Sequence, residues 1–137
     1  MTSATEEVAL SEKESAMRVL LVDDNALNVE LFSDVLEADG HDVVVERDGV
    51  AGRDRALAET FDLVILDIQL ARMDGHEVCR SLRAAGITGP IVALTSSAMP
   101  EQVKRGTEAG FDEYLTKPIS PQALRNAVRR YGSGAAA

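Results

Sequence analysis

Short apolar runs recur along the chain at Val19-Leu20-Leu21-Val22, Val43-Val44-Val45, Leu63-Val64-Ile65-Leu66 and Ile91-Val92-Ala93-Leu94, with a weaker one at Tyr114-Leu115. They are short, β-branched and unbroken by polar positions, the pattern of strands buried on both faces of a sheet. Helical segments separate them at roughly 26–38, 50–58, 76–84, 101–109 and 121–130. Gly40, Gly86 and Gly132 stand where helices should stop, and Ser120-Pro121 is a good helix start. In the first helix, Val29, Phe32 and Leu36 fall on one side, and Leu27 and Leu31 fall roughly opposite, toward water. Five strands alternating with helices predict an α/β fold: a parallel sheet with helices on both faces and right-handed crossovers. There is no internal repeat.

The flanks differ from this pattern. Residues 1–17 are polar and acidic (Glu6, Glu7, Glu12, Glu14) and read as a mobile leader, while 132–137 are a Gly/Ser/Ala stretch that reads as a flexible tail. One folded domain, 18–131, lies between. Its core must be aliphatic, because the chain has three Phe, two Tyr and no Trp. A formal net charge of -9 disfavours nucleic acid and anionic membrane as partners. The single cysteine, Cys79, excludes an internal disulfide and reads as a small buried thiol. No apolar run approaches the ~20 residues of a membrane span. The start lacks a secretory signal, so a cytoplasmic protein is expected.

In open α/β sheets, sites form at the carboxyl ends of the strands. Strand one ends in Asp23-Asp24, strand three in Asp67, strand four in Thr95 followed by Ser96 and Ser97, and strand five in Thr116-Lys117-Pro118. One such Asp is ordinarily explained by turn chemistry or a helix cap; the whole set on one rim is not. Three carboxylates that repel one another call for a divalent cation, and Mg²⁺ needs one or two carboxylates plus substrate oxygens. A carboxylate beside such a cation can act as nucleophile toward a phosphoryl group. Lys117 would then pair with a phosphoryl oxygen and Thr95 would donate a hydrogen bond to another.

Asp23-Asp24, Asp67, Thr95 and Lys117-Pro118 resemble the five-residue signature of response-regulator receiver domains, and Asp67-Ile-Gln-Leu-Ala-Arg-Met-Asp-Gly75 resembles the loop after that family's phosphoacceptor strand. The run Asp24-Asn25-Ala26-Leu27-Asn28-Val29-Glu30-Leu31-Phe32 is similar to stand-alone receivers of cell-cycle and phosphorelay type, and to receivers attached to hybrid kinases. The resemblance spans about 18–131. It implies a flavodoxin-like, doubly wound (βα)5 sheet of order 2-1-3-4-5. It implies Asp67 as phosphoacceptor, with Asp24, Asp67 and the backbone carbonyl of Gln69 as direct Mg²⁺ ligands and Asp23 reaching the metal through water. It implies Thr95 and Lys117 as the phosphoryl-binding pair, a cis Lys117-Pro118 bond, and Tyr114 as the aromatic partner of Thr95 in a conformational switch. The implied partners are a histidine kinase or histidine phosphotransfer protein, docking on Leu27 and Leu31, and a downstream protein target. Such a chain catalyses only its own phosphorylation and dephosphorylation. With one helix and a tail after Lys117-Pro118, its output is expected to be protein–protein contact, unless the chain is an excised receiver.

Two departures bear on the site. Leu70-Ala71 stand where the family often has Met-Pro, which should free the loop backbone. Gln69 and Ser97 occupy variable positions near the phosphoryl group. Rival readings fit less well. A haloacid-dehalogenase-type phosphatase needs a second Asp two residues after the nucleophile, where Gln69 stands. A nucleotide-binding flavodoxin-like or Rossmann protein needs a glycine-rich loop after strand one, where this chain has Asp23-Asp24-Asn25. A binding module without phosphate chemistry would not need the full acidic set and its lysine. His41 and His76 have no metal-ligand partner at helical spacing and are expected at the surface. Met73 and Met99 read as loop packing, and Arg129-Arg130 as a favourable end to the last helix.

Overall fold

The five apolar runs become strands of one sheet. In the computed structural model, which describes residues 16–96 and 99–136, β1 (Arg18–Val22), β2 (Asp42–Glu46), β3 (Leu63–Asp67), β4 (Ile91–Thr95) and β5 (Glu113–Thr116) pair in parallel in the order β2-β1-β3-β4-β5. The connecting helices are α1 (Ala26–Ala38), α2 (Gly49–Ala58), α3 (Gly75–Ala84), α4 (Pro100–Ala109) and α5 (Pro121–Ala136). This is the doubly wound order that the resemblance to receiver domains implies.

Alternation along each strand divides the core into two layers. Val19 and Leu21 of β1 pack with Phe32, Val35 and Leu36 of α1 and Leu124 and Val128 of α5. Leu20 and Val22 pack on the other side with Ala56 of α2, Val78 and Leu82 of α3 and Ala109 of α4. All five residues of β3 and of β4 are buried, as unbroken apolar runs require, each aliphatic side chain contributing roughly 1.5–3 kcal/mol. β2 departs from the expectation of two buried faces: Val43, Val44 and Val45 are only half-buried, because β2 lies at the sheet edge. On α1, Phe32 and Leu36 are buried and Val29 is half-buried, whereas Leu27 is 77% and Leu31 43% exposed.

Two boundaries and the burial of one histidine also differ from the sequence reading. Met17 is buried in the first core layer, and its backbone N–H donates to Nδ1 of His41 at 3.0 Å, so the fold begins before Arg18. The leader through residue 15 lies outside the described residues. α5 runs past Arg130 and Gly132 to Ala136, so the stretch read as a flexible tail is helical through Ala136. Gly40, Gly86 and Gly110 take left-handed φ values of 91°, 92° and 109° and close α1, α3 and α4. Gly132 stays helical, and the alanines that follow favour continuation. His76 is buried rather than at the surface, its ring edge-on to Phe111 at 5.9 Å. It shares the inward face of α3 with Cys79 three residues on. Burial pushes the Cys79 thiol up to about 11, which makes it an inert core residue.

Arg83 fastens the rim opposite the strands' carboxyl ends. Its guanidinium donates to the carbonyls of Gly110 (2.8 and 3.0 Å), Ile87 (2.9 Å) and Gly89 (2.7 Å) and pairs with Asp112 at 2.9 Å.

Candidate functional site

Parallel pairing brings the carboxyl ends of β1, β3, β4 and β5 to one rim, with Val22 beside Leu66, Asp67 beside Leu94 and Thr95 beside Thr116. Asp23 follows β1, Asp67 ends β3, Thr95 ends β4 and Lys117 follows β5. Carboxylate oxygens of Asp23, Asp24 and Asp67 all lie within 4.8 Å of one another, the one such group of potential metal ligands among the described residues. Asp23 and Asp67 are buried, while Asp24 is exposed.

The chain around the cluster explains how it is held. The backbone N–H of Asn25 donates to Oδ1 of Asp23 at 2.9 Å, and that of Gln69 to Oδ1 of Asp67 at 2.9 Å. Lys117 Nζ donates to Oδ2 of Asp67 at 2.5 Å. The Lys117 backbone is held against β4, its N–H donating to Thr95 O at 2.7 Å, and the Lys117-Pro118 bond is cis, as the resemblance implies. Burial, above all, and then the nearby Asp67 charge push the Asp23 carboxyl above its ordinary value, against the lowering pull of the Asn25 N–H and Lys117. A cation seated among these oxygens would relieve that repulsion.

The loop after β3 is tied down even without a proline. Ala71 O accepts from the backbone N–H of Gly49 at 3.1 Å and of Met73 at 2.8 Å, and Arg72 pairs with Asp48 at 3.3 Å. A side chain at Gly49 would fall 1.7 Å from Met73 O, so α2 starts directly under this loop. Gly75 is equally confined, where a Cβ would lie 2.5 Å from Asp67 O.

The structure therefore brings together Asp23, Asp24, Asp67 and Lys117, with Thr95 buried at the neighbouring strand end. Tyr114 lies apart from them, its ring against α4, where its hydroxyl donates to Gln102 O at 3.3 Å. Burial pushes that hydroxyl above its ordinary value. Ser97 lies outside the described residues. Sequence reasoning missed Asn25, whose side chain caps α1 by accepting from Asn28 N at 3.0 Å, and Asn28, whose amide reaches Asp23 at 3.5 Å. The first carried a readable signal, an Asn directly before a helix. It also missed Arg47, which donates to Asp24 O at 2.9 Å from the loop after β2.

The sequence profile of the response regulator receiver domain matches residues 19–129. The chain belongs to this family. Among receivers, it is 40% identical over 121 residues to part of the sensor protein GacS of Pseudomonas syringae pv. syringae, a match covering 85% of this chain and 13% of that protein. It is also 40% identical over 112 residues to the two-component response regulator ORR41 of Oryza sativa subsp. japonica, covering 79% of this chain and 88% of that one. The chain thus spans a small part of some relatives and nearly all of another. In structure it is similar to the receiver domain of the sensor histidine kinase PA1611 from Pseudomonas aeruginosa PAO1, which has a magnesium ion coordinated in its active site cleft. The TM-score is 0.79 with 29% identity, over 86% of this chain and 98% of that domain. This receiver is a domain of two-component signalling. Among its described residues, no helix is long and apolar enough to cross a membrane.

Proposed function

We propose that this receiver accepts a phosphoryl group on Asp67, in the cytoplasm, from a histidine kinase or histidine phosphotransfer protein, and passes the change to a downstream protein. The observation that carries the reading is the buried Asp67 carboxylate, hydrogen-bonded to Lys117 at 2.5 Å inside the Asp23-Asp24-Asp67 cluster. Hard oxygen donors converging at this spacing fit Mg²⁺. Asp24, Asp67 and the carbonyl of Gln69 would hold it directly, and Asp23 through water. When bound, Mg²⁺ supplies charge neutralisation of the phosphoryl oxygens and alignment for in-line transfer.

The chain's own groups do the rest. An Asp67 oxygen forms the new bond to phosphorus as the P–N bond to the donor imidazole breaks, its electron pair leaving with the imidazole. Lys117 then exchanges its carboxylate partner for a phosphoryl oxygen, and the Thr95 hydroxyl donates to another. Drawing Thr95 toward the phosphoryl group vacates space into which the Tyr114 ring turns, loosening α4, whose buried residues are only Gly106 and Ala109. The donor docks on Leu27 and Leu31, exposed apolar residues on the helix that begins beside Asp24.

Intact mass after incubation with acetyl phosphate, with and without Mg²⁺, tests the reading. One phosphoryl group should appear only with Mg²⁺ and be absent from Asp67→Asn. Equal incorporation by that variant refutes the assignment.

A further inference from the structure

Gly106 of α4 is buried, and the group that covers it is the Tyr114 side chain. A Cβ built on Gly106 would fall 0.9 Å from the Tyr114 hydroxyl oxygen, 2.0 Å from Cζ and 2.7 Å from Cε2. The ring occupies the volume that any other residue type would claim for its own side chain. It is fixed from two further directions: Phe111 at 5.7 Å between ring centroids, and the Gln102 carbonyl, which accepts from the hydroxyl at 3.3 Å. α4 buries only Gly106 and Ala109 besides a half-buried Val103, so the ring is a large share of what ties this helix to the domain.

We propose that Gly106 is a positioning residue for the switch: its missing side chain creates the seat that holds Tyr114 on α4 and so opposes the phosphorylated conformation. The inference rests on the phosphoacceptor reading and deepens it. A methyl at 106 cannot coexist with the seated ring, because a shift of a few tenths of an ångström does not relieve such an overlap. Nothing comparable penalises the ring once it has left. Gly106→Ala therefore removes stability from the resting state alone, and the population moves toward the state that binds phosphate.

The test combines Gly106→Ala, Tyr114→Ala and the double variant, titrated with beryllofluoride at fixed Mg²⁺ and followed by amide NMR. Gly106→Ala should lower the half-saturating beryllofluoride concentration about three-fold or more. In the Tyr114→Ala background, where the seat is already empty, the same substitution should leave it unchanged. Nuclear Overhauser contacts between the Tyr114 ring and residue 106, present in the parent protein without any phosphate mimic, should vanish in Gly106→Ala. An unchanged or raised midpoint overturns the proposal, as does an equal drop in the Tyr114→Ala background. So does a ring that keeps its contact with residue 106 while α4 shifts. If the parent protein shows the ring contact but binds no beryllofluoride, the phosphoacceptor reading fails and takes this inference with it.

Discussion

Lys117→Met tests the electrostatics of the pocket without any phosphate. Lys117 Nζ lies 2.5 Å from a carboxylate whose side chain is 4% exposed, and is itself 26% exposed. At an effective dielectric of about 20, that separation corresponds to roughly 6–7 kcal/mol of gross attraction. Most of this offsets the cost of taking both charges from water, and removing one partner of a buried pair costs about 3–5 kcal/mol net. Because Lys117 keeps some solvent contact, the lower end applies, about 3 kcal/mol. The methionine retains the stem's packing, so the loss is one of charge. For a domain of this size that is a fall of roughly 10 °C in melting temperature without divalent cation. Mg²⁺ held as proposed would supply positive charge to the same oxygens, so it should raise the melting temperature of Lys117→Met by more than that of the parent. The double variant Lys117→Met with Asp67→Asn should recover part of the loss, since the carboxylate stranded by the loss of Lys117 is gone. Thermal unfolding by circular dichroism with EDTA or with millimolar Mg²⁺ reads all three. A Lys117→Met protein that melts within about 2 °C of the parent in EDTA would show that the pair contributes nothing beyond a surface contact.

Asp23→Asn should stabilise the metal-free protein at neutral pH by on the order of 1 kcal/mol, because it removes a buried charge facing Asp67 while its side-chain oxygen can still accept from Asn25; denaturant unfolding in EDTA checks it, and a loss of stability contradicts it. His76 is held below its ordinary value of 6.5, first by burial and then by Arg105. The unfolded chain therefore takes up a proton that the fold refuses. Stability from this site is full above about pH 6.5 and falls as pH drops below it. His76→Leu should flatten that slope, with the residue due to His41, also lowered by burial; an unchanged slope removes His76 from the account. Leu27→Asp and Leu31→Asp should slow phosphoryl transfer from a cognate kinase or phosphotransfer protein strongly and leave the acetyl phosphate rate nearly unchanged. If neither rate falls, docking lies elsewhere.

The strands and the site were legible because their signals are local and short-ranged. An apolar run such as Leu63-Val64-Ile65-Leu66 has few ways to be satisfied other than a buried strand, and parallel pairing then carries Asp23, Asp67 and Lys117 to one rim whatever lies between. What was not legible depended on contacts distant in sequence. His76 was judged by its lack of a metal-ligand neighbour, whereas its environment is set by Phe111, which lies on the far side of α4 in the chain. The half-burial of β2 follows from its edge position, which no property of Val43-Val44-Val45 encodes. Gly132 reads like Gly40 and Gly86, yet only the latter two turn left-handed, each where a helix gives way to the loop that leads into the next strand, whereas Gly132 lies inside α5. Gly106 gave no signal at all, since a glycine inside a helix matters here only through Tyr114 eight residues on.

The guanidinium of Arg83 has a mechanical consequence for α4. The carbonyl it grips most firmly belongs to Gly110, the residue that closes that helix. At the other end, Met99 gives the first turn no side-chain cap and is itself 55% exposed. On the proposed function, a push from the phosphate rim would therefore swing the helix about its tail as a lever rather than slide it. Pro100 and Glu101 would then travel farthest, with Ala109 next to the pivot. A probe attached near residue 101 would register the swing at its largest amplitude, and one near residue 109 would serve as the stationary reference.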